Sequence, residues 1–183
     1  MFIQTEETPN PATLKFLPGR PVMEAGTASF ATAEEAGRSP LATRLFEIDG
    51  VEGVFLGADF ISVTKAKTKE WYLLKPSLLG AIMEHFVAGR QVIAAEAETA
   101  DETDYGEDSE TVATIKELLE TRVRPAVAQD GGDIVFQGFD RGVVYLHMQG
   151  ACSGCPSSTA TLKMGIENML RHYVPDVVEV RAV

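Results

Sequence analysis

The sequence is poor in cysteine and lacks long apolar runs. Its 183 residues include only two cysteines, Cys152 and Cys155, which argues against a secreted fold held by several disulfides. No run of about 18 apolar residues could cross a bilayer, so no membrane partner is predicted. Residues 1–10, MFIQTEETPN, lack the basic and apolar segments of a signal peptide, and their acidic residues argue against an Arg-rich transit peptide. Together these absences predict a cytoplasmic protein.

Basic residues are scarce as well. The chain has 16 Lys and Arg against 27 Asp and Glu, for a net charge of −11, and this balance argues against a nucleic-acid partner, which a basic surface would have to hold. The acidity is concentrated in residues 96–109, EAETADETDYGEDS, which carry seven acidic and no basic residues. Few apolar side chains and mutual repulsion predict a flexible acidic linker here. The predicted domains are therefore residues 1–95 and 110–183, with a solvated loop inside one domain as the alternative.

The first predicted domain has an α+β pattern. Strand-like runs occur in MFIQTEE and ATLKFLPG, and VEGVFLGADFISVTKA predicts a hairpin. A first helix is expected to begin at Ser39 and Pro40, which are typical N-cap and first-turn residues. A second helix is expected from Pro76 to a stop at Gly89. Its apolar positions are Leu78, Leu79, Ile82, Met83 and Phe86.

The second predicted domain has the order α-β-β-α-β. Apolar residues at helical spacing predict an opening helix that Pro125 kinks or ends. DIVFQGF and GVVYLHM predict a hairpin around Asp140–Gly142. A further helix is expected to end before Pro175, and DVVEVRAV is expected to form the last strand. The predicted fold class is two small α+β domains joined by the acidic linker.

The cysteines form a Cys-x-x-Cys motif in GACSGCPSST, residues 150–159. The spacing lets the sulfurs of Cys152 and Cys155 turn to one side, as soft-metal chelation requires. Three alternatives remain open: a thiol–disulfide oxidoreductase that uses the same pair, a zinc site that links two chains, and two thiols that merely pack. A redox pair requires a depressed thiol pKa, and structural zinc takes four ligands. The three histidines are isolated in sequence and are expected at a core edge or on the surface.

An iron–sulfur cluster also needs four thiolates where one chain offers two. Two chains across a two-fold axis would supply Cys152 and Cys155 twice and complete such a site. The motif also leads into a predicted helix, whose first N–H groups and dipole favour an anionic cluster. The residues therefore indicate a metal centre that a homodimer would complete.

Two segments resemble a known family, the Nfu-type (NifU-like) iron–sulfur cluster carriers. RPAVAQDGGDIVF followed by GVVYLHMQGACSGCPSSTATLKMGIENML resembles the C-terminal NifU domain, and MFIQTEETPNPATLKFLPG resembles the N-terminal Nfu domain. The resemblance covers essentially the whole chain. It implies that Cys152 and Cys155 bind a [4Fe-4S] cluster between two subunits, with [2Fe-2S] as a possible cargo.

The resemblance also implies partners and a setting. The protein would receive the cluster from an upstream scaffold and pass it to apo iron–sulfur proteins, without turning over a substrate as an enzyme does. The N-terminal domain would assist dimer behaviour or target choice. Because mitochondrial members of the family carry presequences, the start of this chain favours the bacterial, cytoplasmic form.

The DGGD segment, Asp130–Asp133, precedes the predicted hairpin. We expect a tight helix-to-strand turn in which Gly131 and Gly132 adopt unusual φ angles and Asp133 acts as a cap. Contacts of its carboxylates with a partner or near the cluster are the alternative.

Overall fold

The computed structural model describes residues 2–94, 110–152 and 156–183, with only the backbone described for 156–159. The chain divides into two compact units, Met1–Ala100 and Asp101–Val183. The predicted linker, residues 96–109, lies outside the described residues, so its extent and the domain limits at 95 and 110 stay predictions.

In its described residues, 2–94, the first unit contains a five-stranded antiparallel sheet and two helices. The strands are β1 (Gln4–Glu7), β2 (Thr13–Leu17), β3 (Ala28–Phe30), β4 (Val51–Leu56) and β5 (Ile61–Lys65), in the spatial order β1-β2-β5-β4-β3. The helices are α1 (Pro40–Phe46) and α2 (Trp71–Val87), and one 3₁₀ turn spans Glu35–Arg38. The core includes Phe16, Val54 and Ile61 from the sheet and Leu45, Leu78 and Ile82 from the helices. The predicted α+β class is confirmed.

The two helix starts were predicted with different success. Helix α1 begins as expected, because the Ser39 hydroxyl accepts a hydrogen bond from the Ala42 N–H at 3.1 Å and also donates to the Val92 carbonyl at 2.5 Å. Helix α2 begins at Trp71, so the predicted start at Pro76 is wrong. Pro76 lies inside the helix on its exposed side, where water can satisfy the carbonyl that lacks a donor.

The second unit has the predicted α-β-β-α-β order. Its elements are α3 (Glu110–Leu118), a π-helical segment (Leu119–Val123), α4 (Arg124–Gln129), β6 (Gly132–Asp140), β7 (Val143–Gly150), α5 (Pro156–Tyr173) and β8 (Glu179–Ala182). Strands β6 and β7 pair antiparallel, while β7 and β8 pair parallel. Apolar side chains of the helices and the sheet share one core, including Ile115, Ile134, Leu146, Ile166 and Leu170.

Two local features of this unit follow from single residues. The π-helical segment ends two residues before Pro125, whose missing N–H cannot continue the α-helical hydrogen bonding. The β6–β7 connection is a two-residue turn in which Arg141 and Gly142 have φ angles of 50° and 80°. Positive φ at both positions is the type I′ geometry that matches the twist of a hairpin.

Within the described parts of the chain, no helix is long and apolar enough to span a membrane.

Candidate metal centre

The candidate centre lies where β7 ends and α5 begins. Gly150 has a φ of 63° and turns the chain out of the strand, and Cys152 follows in the loop before Pro156. Since β7 pairs in parallel with β8, this loop lies at the carboxyl end of a parallel strand, where α/β folds commonly place ligands. Cys155 lies outside the described residues, so its approach to Cys152 stays a prediction. In the parts that are described, no group of three His, Cys, Asp or Glu side chains could hold a metal ion.

The Cys152 side chain is only 7% exposed and belongs to the core of the second unit. Its sulfur lies against Gly132 at the start of β6. A Cβ at position 132 would come within 2.6 Å of Cys152 Sγ and 2.8 Å of the Gln149 carbonyl oxygen, so this position requires glycine. The Ala151 N–H donates to the Gly131 carbonyl at 3.2 Å, which ties the cysteine loop to the DGGD turn.

Asp133 in that turn is a buried ion-pair partner. The residue as a whole is 3% exposed, and Arg124 donates to both carboxylate oxygens, from Nε and Nη2, at 2.9 Å each. The Ile134 N–H donates to Asp133 Oδ1 at 2.8 Å, while Glu120 contacts the other side of the Arg124 guanidinium. These contacts anchor α4 to the strand that underlies Cys152.

The prediction for Asp130–Asp133 is therefore only partly correct. Gly131 has the expected unusual φ, 79°. Gly132 does not have a positive φ and is instead required for the close approach of the Cys152 sulfur. Asp133, predicted as a cap, accepts the Ile134 N–H, but it lies inside β6 and its carboxylate also binds the Arg124 side chain, a partner that the prediction did not include.

The surroundings of Cys152 disfavour its thiolate. Burial, together with the negative charges of Asp130 and Asp133, raises the pKa of Cys152 to about 11. The nearby Arg124 does not offset the rise in the pKa of Cys152, because its guanidinium is paired with Asp133. The hydrogen bond to Asp133 raises the pKa of Arg124, while burial lowers it. A metal ion must therefore displace a proton to bind this sulfur.

Two of the three histidines lie on the surface, as the sequence predicted: His147 and His172 are exposed in the second unit. The prediction is wrong for His85, which is buried in the first unit against Phe86. Nδ1 of His147 lies 2.9 Å from the Val183 carbonyl oxygen, and the His172 ring stacks edge-on against Tyr173. Sequence reasoning missed Arg124, although its spacing of four residues from Glu120 on a helix was a usable signal.

Comparison with known proteins gives matches over both units. The family model for the scaffold protein Nfu/NifU N terminal matches residues 3–89, and the model for the NifU-like domain matches residues 115–181. A mitochondrial NifU-like protein 4 of Arabidopsis thaliana is 56% identical over 97% of this chain and 64% of its own length. The human mitochondrial NFU1 iron–sulfur cluster scaffold homolog is 52% identical over 97% of this chain and 70% of its own. A solution structure of a NifU-like protein from Saccharomyces cerevisiae is 26% identical, covers 52% of this chain and 86% of that one, and has a TM-score of 0.47.

These relatives overturn the predicted location. The chain was expected to be a bacterial cytoplasmic protein, and that prediction is wrong, since relatives at 52–56% identity are named as mitochondrial proteins. The prediction depended in part on the composition of the first ten residues, but the family model matches from residue 3, so these residues belong to the first domain and their composition does not report targeting. The chain spans 64% and 66% of the length of the two Arabidopsis relatives.

The family matches lie in the order Nfu then NifU, and a relative more than half identical is covered over 70% of its length. The chain belongs to the NifU-like (Nfu) family of iron–sulfur cluster scaffold proteins.

Proposed function

We propose that this protein carries a [4Fe-4S] cluster between two copies of itself, held by Cys152 and Cys155 of each copy, and delivers it to apo iron–sulfur proteins. The observation that carries the proposal is the position of Cys152: its thiol lies two residues after a parallel strand and four residues before a helix of 18 residues. The N-terminal dipole of such a helix favours an anionic ligand.

The ligand count supports the dimer. The sequence contains two cysteines, and a [4Fe-4S] cluster is normally held by four thiolates. A second copy supplies the missing pair by symmetry. Separation of the two copies would then leave each with half of the ligands, which couples release of the cluster to separation of the subunits.

The raised pKa of Cys152 supports transfer over storage. Forming its thiolate at neutral pH costs about 2–3 kcal/mol more at a pKa of about 11 than at the ordinary 9.0. Cluster binding must overcome this free-energy cost of ionising the thiol. When the cluster leaves, reprotonation of the thiol releases the same free energy and favours the separated state. A site with these properties holds its cargo less tightly than one lined by pre-formed thiolates.

The same pKa disfavours the oxidoreductase alternative. Thiol–disulfide exchange proceeds through the thiolate, and a thiol with a pKa of about 11 is ionised to roughly one part in 10,000 at neutral pH. We therefore propose a carrier without enzymatic turnover, loaded by an upstream cluster scaffold. A [2Fe-2S] cluster is a second possible cargo.

Anaerobic reconstitution with iron and sulfide, followed by Mössbauer spectroscopy and sedimentation velocity, tests the proposal. We expect a diamagnetic [4Fe-4S]²⁺ signal with one cluster per dimer. Cys152→Ser and Cys155→Ser should abolish it, while Ser153→Ala, which leaves both thiols in the same loop, should not. A full cluster in each monomer would contradict the shared site, and a reversible disulfide without iron uptake would favour the oxidoreductase.

Transfer needs a separate test. The loaded protein is mixed with an apo dehydratase that requires a [4Fe-4S] cluster, in the presence of a ferrous chelator. Recovery of dehydratase activity despite the chelator indicates direct transfer between proteins. Recovery that the chelator abolishes would show that iron is released into solution first, against a carrier role.

A further inference from the structure

The DGGD turn supports Cys152 closely although it contains two adjacent glycines. The Gly131 carbonyl accepts the Ala151 N–H at 3.2 Å. A Cβ at Gly132 would come within 3.0 Å of the Cys152 backbone nitrogen as well as 2.6 Å of its sulfur. Because glycine restricts the backbone less than any other residue, local preference alone does not keep these two positions in shape. Contacts with neighbouring elements have to fix the surface on which Cys152 lies.

Arg124 supplies such a contact. Its Nε and Nη2 donate to the two carboxylate oxygens of Asp133 at 2.9 Å each, and its Nη1 binds Glu120. Every nitrogen of the guanidinium is therefore engaged, and a forked pair of this kind fixes direction as well as distance. The pair joins the first residue of α4 to the residue directly after the two glycines. The turn is thus held from both of its ends.

The π-helical segment before α4 keeps Arg124 near the core. Buried residues recur at every fourth position from α3 to α4: Ile115, Leu119, Val123 and Val127. Four-residue steps along a regular α-helix drift by about 40° each, and the wider π-helical turn over Leu119–Val123 reduces that drift. Arg124 follows the buried Val123, and its side chain is only 30% exposed. The helix therefore presents the guanidinium to Asp133.

We propose that Arg124 is a positioning residue for the cluster. Through Asp133 it holds Gly131 and Gly132 in the arrangement that supports Cys152, and thereby sets how long the cluster stays bound, although it is not itself a ligand. The inference rests on the proposed function, in which Cys152 is a ligand, and adds a residue that controls retention. Removing a group that orients a metal ligand from behind typically lowers metal affinity about 10–100-fold.

Matched variants separate positioning from stability. Leu170→Ala lowers the stability of the same core by an amount comparable to breaking a buried ion pair. Leu170 is fully buried and lies about 21 Å along α5 from its start at Pro156, so this change leaves the turn intact. Arg124→Lys keeps the positive charge but cannot form the fork. Glu120→Gln removes only the exposed partner of the guanidinium.

Alkylation of the apo protein tests the positioning without a cluster. In a Cys155→Ser background Cys152 is the only thiol, since the sequence contains two cysteines, and its 7% exposure predicts slow reaction with N-ethylmaleimide. At one fixed pH, Arg124→Lys should accelerate the reaction about tenfold because a charge-assisted hydrogen bond is lost, and Arg124→Met should accelerate it further. Leu170→Ala should accelerate it much less than Arg124→Met, and Glu120→Gln should leave it unchanged.

The loaded protein gives a second measurement. The half-life of the cluster against a ferrous chelator is followed by absorbance, and the iron–thiolate stretching bands are recorded by resonance Raman spectroscopy. Arg124→Met should shorten the half-life about 10–100-fold and shift these bands, because the Cys152 side chain changes its orientation at the iron. Leu170→Ala should shift no band, and Glu120→Gln should match the natural chain in both measurements.

Equal acceleration of alkylation by Arg124→Met and Leu170→Ala, at equal loss of stability in urea, would overturn the inference, because Arg124 would then act through stability alone. Unchanged Raman bands in loaded Arg124→Met would also overturn it. If circular dichroism shows that Arg124→Met does not fold, Arg124→Lys decides both measurements by the same criteria. If the natural chain takes up no cluster, the proposed function fails, whereas the alkylation comparison still decides whether Arg124 positions Cys152.

Discussion

Replacing Arg124 with methionine tests whether the ion pair beneath the cysteine loop holds the second unit together. Methionine keeps the length and the apolar stem of the side chain but removes both 2.9 Å hydrogen bonds to Asp133. The Asp133 side chain is 4% exposed and that of Arg124 30%, so little water can replace the lost donors. Removing one partner from a buried pair of this kind costs about 3–5 kcal/mol.

Urea unfolding measures this cost. With a denaturant slope of about 1.5 kcal/mol per molar, the midpoint of the second unit should fall by about 2–3 M. The unfolding of this unit is followed by circular dichroism or by hydrogen exchange of peptides from residues 110–183. Fluorescence of Trp71, the single tryptophan in the sequence, reports the first unit and should show an unchanged transition. Glu120→Gln is the control, because it removes only the exposed partner of Arg124 and should cost less than about 1 kcal/mol.

A double-mutant cycle separates the interaction energy of the Arg124–Asp133 pair from the contribution that each residue makes through its other contacts. Asp133→Asn in the Arg124→Met background should cost much less than in the natural chain, since the charge it removes has already lost its partner. The reasoning is refuted if Arg124→Met destabilises the second unit no more than Glu120→Gln does. It is equally refuted if the two changes are additive.

Three further predictions concern glycine packing and pH. Gly132→Ala should lower iron uptake and destabilise the second unit by about 1–3 kcal/mol, because its Cβ would meet the Cys152 sulfur at 2.6 Å; Gly165→Ala, which meets nothing within 4 Å, should be harmless in the same reconstitution and unfolding assays. Folding raises the pKa of Cys152 from 9.0 to about 11, so the stabilisation it provides is complete below pH 9 and is lost as the pH rises through 11. In alkaline urea titrations the natural chain should lose about 2 kcal/mol more than Cys152→Ser, and equal losses would contradict the raised pKa. Burial lowers the pKa of His85, assisted by the charge of Arg90, so its stabilisation is present above pH 6.5 and is lost as the pH falls through the lowered value; His85→Leu should flatten the acid limb of the Trp71 unfolding transition, and an unchanged limb would contradict this assignment.

The sequence was informative wherever a local signal determines structure. Ser39 and Pro40 marked the start of α1 because capping depends on neighbouring residues only. The β6–β7 hairpin was also predictable, since a glycine between two alternating apolar runs is typical of a tight turn that connects two strands. Strand β3 was missed because three residues are too few to show alternation.

The remaining errors have a common physical origin in contacts between distant elements. The ion pair of Arg124 with Asp133 forms only after the DGGD turn has reversed the chain, so nothing in the local sequence indicates it. Leu79 and Met83 were predicted only as apolar positions of α2, and the structure exposes Met83 while Leu79 is partly buried against the core. Because α2 carries apolar residues on its outer side as well as on its inner side, their spacing could not show which side faces the sheet.

The parallel pairing of β7 with β8 has a consequence for synthesis on the ribosome. Strands β6 and β7 adjoin in sequence and can form their hairpin as soon as both have emerged, whereas β8 follows only after all of α5 has been made. Until then the loop of Cys152 connects a strand with an open edge to a helix that has no completed sheet to pack against. The proposed cluster site at this loop therefore has a complete sheet beneath it only after β8 has been made.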